Sequence, residues 1–76
     1  MTNAQVLLRT VGLADAWLEH TLEVVEIDLR DSGATLEEIE NAVGPGGFMG
    51  RVLEADRDQQ IAEVEKWLAG KDNTLN

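Results

Sequence analysis

The sequence predicts an all-α fold: a small helical bundle of two long helices and one short capped helix. Apolar residues recur every three or four positions over two long segments, and a short segment between them opens on a capping signal and closes on a glycine-proline turn. With 76 residues the chain forms one domain, because so short a chain buries only about 60% of its unfolded surface and cannot support two cores. Residues 1–70 are expected to make up that helical domain, and 71–76, "KDNTLN", a polar C-terminal tail.

The first helix runs from Asn3 to about Arg30. Leu7, Val11, Ala14, Leu18, Leu22, Val25 and Leu29 recur at helical steps, and an 11-residue shift carries Leu7 onto Leu18 and Leu18 onto Leu29. Such spacing keeps a nearly straight helix in register with its neighbour. A second apolar line, Val6, Leu13, Trp17 and Val24, lies beside the first when residues are set about 100° apart, so apolar side chains cover about half the cylinder. An ordinary surface helix has a narrower stripe, a little over 100° wide. The breadth predicts packing against two other helices, or against one helix and a second subunit, and a homodimer is expected with Leu7, Val11, Leu18, Leu22 and Val25 at its interface. A small domain without disulfides or metal often borrows core in this way. The polar arc holds Asp15, Glu19, Glu23, Glu26 and Arg30, and Gly12 falls on it, weakening the helix by about 1 kcal/mol relative to alanine.

After the turn "RDSGAT", Thr35 is a good N-cap and Glu38, three residues on, completes a capping box, with Ala34 and Ile39 placed for a weak hydrophobic staple. Leu36, Ile39 and Val43 form the buried line of this short helix. Gly44 is expected in the left-handed C-terminal position, with Pro45 forbidding continuation. The third helix starts at Phe48 and Met49 and runs to about Ala69, before Gly70. Met49, Leu53, Ile61, Val64 and Leu68 trace one face, and the polar run Asp56 to Gln60 predicts a kink or a change of packing partner.

Fifteen acidic against six basic side chains give a formal charge of −9, which repels phosphate and anionic lipid and argues against direct nucleic-acid binding. There is no cysteine, hence no disulfide, thiolate nucleophile or cysteine-based zinc site. No apolar run approaches the roughly 20 residues that span a bilayer, and "MTNAQVLLRT" lacks the flank and cleavage site of a secretory signal. A cytoplasmic location is expected.

Residues 33–57, with Ile39 and Val43 as inward positions, Gly44 as turn glycine and Leu53 as anchor, resemble a degenerate helix-turn-helix unit. The stretch departs from that pattern in three places. Glu40 stands where a small residue lets the helices approach, and Gly46 and Gly47 lengthen the turn. The would-be reading helix offers Arg51 and Arg57 against Glu54, Asp56 and Asp58, whereas groove readers present basic or amide side chains.

Catalytic sets are thin. Ser32 lies in a turn, 12 residues from His20 and without a triad geometry, and "GPGGFMG" lacks the lysine of a phosphate loop and reads as a flexible connection. His20 with Glu23 gives a weak helical metal-ligand pair, outweighed by a boundary histidine that tunes packing, so no metal or other cofactor is expected. Trp17 and Trp67 suit either core or interface anchors, and Phe48 with Met49 could form a contact patch. The acidic arc Asp15, Glu19 and Glu23 is either a solvated face or a surface for a basic partner.

The composition resembles, in general character only, that of small accessory and inhibitor proteins of bacteria and their phages. The reading is a non-enzymatic protein-protein interaction module, a small acidic regulator or inhibitor that docks on a larger protein, for which the charge suits a basic surface. Trp17, Phe48, Met49, Asp15, Glu19 and Glu23 are its expected contacts. A nucleic-acid mimic that blocks a DNA- or RNA-handling enzyme and a helix-turn-helix regulator remain as alternatives.

Overall fold

The structure, a computed structural model, describes residues 1–75 and the side chains of residues 1–70. Three helices follow one another: α1 (Asn3–Asp31), α2 (Leu36–Val43) and α3 (Phe48–Leu75), and no strand occurs among the described residues. The expected all-α bundle is what forms.

Local chemistry sets the boundaries. Thr2 caps α1 through a reciprocal box in which its hydroxyl accepts from the Gln5 amide while the Gln5 side chain accepts from the Thr2 amide. At the other end the Gly33 amide donates to the Arg30 carbonyl and the Ala34 amide to the Leu29 carbonyl, with Gly33 at φ 91°. These two bonds are the Schellman closure, and the left-handed residue it requires favours glycine. Thr35 and Glu38 form the expected second capping box at the start of α2.

The α2–α3 turn differs from expectation at one residue. Gly44 is extended, at φ −74° and ψ −179°, and Gly46 at φ 72° is the left-handed one. Pro45 explains the exchange, because its ring pushes the preceding residue out of helical and into extended geometry. Proline followed by left-handed glycine, closed by the Gly47 amide on the Gly44 carbonyl at 2.8 Å, makes a type II turn.

Further along, α3 passes unbroken through Asp56–Gln60, so no helix break occurs there. It also continues past the expected end near Ala69, to Leu75, since Gly70 is not among the left-handed glycines.

Asn3, Ala4 and Leu7 border one shallow groove with Glu65, Leu68 and Ala69, while Leu22 shares another with Gly50, Arg51 and Glu54. Low numbers on α1 therefore meet high numbers on α3, and the two long helices run antiparallel. The short α2 contacts both, beside Glu26 and Arg30 at the C-terminal half of α1.

The buried core is Ala14 and Leu18 of α1, Ile39 and Ala42 of α2, and Leu53 and Leu68 of α3. Burying each of its larger aliphatics contributes about 1.5–3 kcal/mol. More large apolar side chains lie outside than in: Leu8, Leu13, Val24, Ile27, Leu36, Phe48, Val52 and Trp67 are all exposed. The molecule measures 56 × 18 × 17 Å, and its radius of gyration of 16.5 Å compares with the roughly 11 Å of a compact domain of this length.

Candidate interaction surfaces

The expected contact residues fall into three groups. Phe48 and Met49, adjacent in sequence, point about 100° apart on α3 and separate: Met49 is half-buried and Phe48 is 53% exposed. The outward neighbour of Phe48 is Val52, one turn on and 56% exposed. Val52 was not among the expected contacts, although its four-residue spacing from Phe48 is a signal the sequence carries. Arg51 and Ala55, both exposed, continue this outer surface of α3.

The acidic group is exposed throughout: Asp15, Glu19 and Glu23 all face solvent on α1. Asp15 has a partner the sequence did not predict, because Arg57 Nη1 donates to its Oδ1 at 3.1 Å. Arg57 also binds Asp58 through Nε and Nη2, at 3.2 and 3.1 Å. The hydrogen bond to Asp58, with the charges of Asp58 and Asp15, raises the Arg57 pKa above its ordinary value. Of the two arginines a helix-turn-helix reading relies on, Arg57 is thus held by carboxylates and half-buried, and Arg51 is exposed.

The expected dimer line faces inward within the single chain. Leu18 is 8% exposed, and Leu7, Val11, Leu22 and Val25 are half-buried, with Leu7 bordering Leu68 and Leu22 bordering the α2–α3 turn. The other apolar line of α1 is the open one. Trp17 and Val6 are half-buried, but Leu13 is 73% and Val24 49% exposed, and Ile27 extends the same side. Trp67, on α3, is 59% exposed.

His20 and Ser32 are both exposed, and Ser32 serves as the C-cap of α1. Among the described residues no group of three or more histidine, aspartate or glutamate side chains is placed to hold a metal ion, and no helix is long and apolar enough to cross a membrane. Comparison of the chain with protein-family models, with curated proteins and with solved structures gives no match.

Proposed function

We propose that this protein is a non-enzymatic interaction module, a small acidic regulator or inhibitor that docks on a larger protein through the outer face at the start of α3. The observation that carries the reading is the pair Phe48 and Val52, one helical turn apart and each more than half exposed, directly after the Gly46–Gly47 turn. Large apolar side chains grouped outside a core mark contact sites more often than scattered single ones do, and aromatic residues are favoured anchors. The formal charge of −9 suits a partner whose apolar groove has a basic rim, which would speed encounter and make binding salt-sensitive.

The test is quantitative affinity capture from cell extract with three baits: the wild type, Phe48→Ser/Val52→Ser, and Asp15→Asn/Glu19→Gln/Glu23→Gln. A protein retained by the wild type and by the charge variant, and lost with the Phe48→Ser/Val52→Ser bait, is the expected result. Loss with the charge variant alone, in competition with nucleic acid, would replace this reading with that of a nucleic-acid mimic.

A further inference from the structure

The outer face of α1 carries an uninterrupted heptad seam. Val6, Leu13, His20 and Ile27 are spaced by seven, and Thr10, Trp17 and Val24 fill the alternate positions, so the steps run four, three, four, three from Val6 to Ile27. Sustained alternation of this kind marks a helix that pairs with another along its length. The inner line of α1 already meets α2 and α3, and in the outer seam Leu13, His20, Val24 and Ile27 are exposed. One helix thus bears two seams, and one is open.

We propose that a second copy of this chain occupies the outer seam, pairing α1 with α1 in a homodimer. Three observations select that occupant. The accessible surface of 5695 Å² exceeds by about 1,100 Å² the roughly 4,600 Å² of a compact protein of 8.3 kDa, and a standard interface takes about 800 Å² from each partner. The seven seam positions hold no carboxylate despite the acidity of the chain; Asp15, Glu19 and Glu26 lie more than about 100° around the helix from the seam's centre and Glu23 about 90°, while Asp28, about 50° away, flanks its C-terminal end and Asp31 takes the next heptad position. Two copies can therefore meet between Val6 and Ile27 with most of the acidic arc turned away. The polar members also tolerate closure: the Thr10 hydroxyl donates to the Val6 carbonyl at 2.9 Å, leaving no unmet donor, and His20 is one polar residue near the middle of an apolar seam, a device that fixes register in paired helices.

This dimer does not rest on the docking reading, which uses α3, and the variants separate the two. Multi-angle light scattering and sedimentation equilibrium over a concentration series, at low and high salt, would be run on the wild type, on Leu13→Lys/Val24→Lys and on Val52→Lys. The wild type and Val52→Lys are expected to reach twice the chain mass. Leu13→Lys/Val24→Lys is expected to weaken the dimer by about 100-fold or more, because an ammonium group in a closed apolar seam is costly, although the change lowers the net negative charge. All three should keep the same helical circular dichroism, since the substituted side chains are exposed in the single chain. In a Trp67→Phe background, Trp17 emission should shift to the blue as concentration rises. A wild type that stays monomeric at high salt, or a dimer that survives Leu13→Lys/Val24→Lys, would overturn the proposal; so would a dimer lost only with Val52→Lys.

Discussion

Arg57 of α3 places Nη1 3.1 Å from Asp15 Oδ1 of α1, joining two residues 42 positions apart. This contact lies within the polar run Asp56–Gln60 that interrupts the apolar pattern of α3, where the helix is continuous and meets α1 through an ion pair. Asp15→Asn should lower the thermal midpoint slightly at low ionic strength, with the effect fading as salt rises from about 0.01 M toward about 1 M. Arg57→Ala should lower it further and keep part of its effect in salt, because the half-buried aliphatic stem is lost as well. Thermal melts followed by circular dichroism at two salt concentrations measure both.

Leu18 should be among the most sensitive positions. Leu18→Ala removes a buried side chain from the centre of the inner line and is expected to cost about 2–5 kcal/mol. The whole domain commands only about 4–11 kcal/mol at the usual 0.05–0.15 kcal/mol per residue. Leu36→Ala, at an exposed position, should stay within about 0.5 kcal/mol. Urea denaturation of the two variants distinguishes them.

Two glycine substitutions should move stability in opposite directions. A methyl group at Gly12 meets nothing within 4 Å, so Gly12→Ala is expected to stabilise α1 by about 1 kcal/mol. At Gly47 the added carbon would run into the Ala42 carbonyl oxygen, and Gly47→Ala must shift the turn and destabilise. Opposite displacements of the urea midpoint would bear this out.

The two capping boxes respond differently to acid. Glu38 accepts the Thr35 amide and its carboxyl is held below the ordinary glutamate value, whereas the first box uses Gln5, which does not titrate. Because the folded-state pKa is depressed, the contribution of Glu38 is present above its unfolded value and is lost as pH falls through the folded one. Glu38→Gln should therefore flatten the acid limb of the stability profile. Thermal midpoints from neutral to acid pH, compared between wild type and Glu38→Gln, provide the measurement.

Much of the architecture was legible because it depends on local chemistry. Thr35 and Glu38 announce the start of α2, and the three- and four-residue spacing from Leu7 to Leu29 picks out the inward side of α1. A glycine directly after a helix favours the left-handed conformation and points to Gly44, but Pro45 imposes the stronger constraint and leaves that conformation to Gly46. For a related reason α3 outruns its expected end near Ala69: Gly70 permits a helix stop but does not impose one. The surface was harder to read. Periodicity marks both apolar lines of α1 and cannot tell which one the chain covers itself; the line expected at a dimer interface is the one that faces α2 and α3. The spacing of Val52 from Phe48 is visible in the sequence, but that both side chains, like Trp67, stay outside the core is a tertiary fact with no local signature.

The 56 Å length against a width of 18 Å has a hydrodynamic consequence. A rod about three times longer than wide drags more solvent than a sphere of equal mass. On a gel-filtration column calibrated with globular standards, one chain of 8.3 kDa will elute as though it were heavier than it is. Elution volume alone would therefore overstate the mass of a single chain and blur the line between one copy and two, and only a shape-independent mass can count the chains.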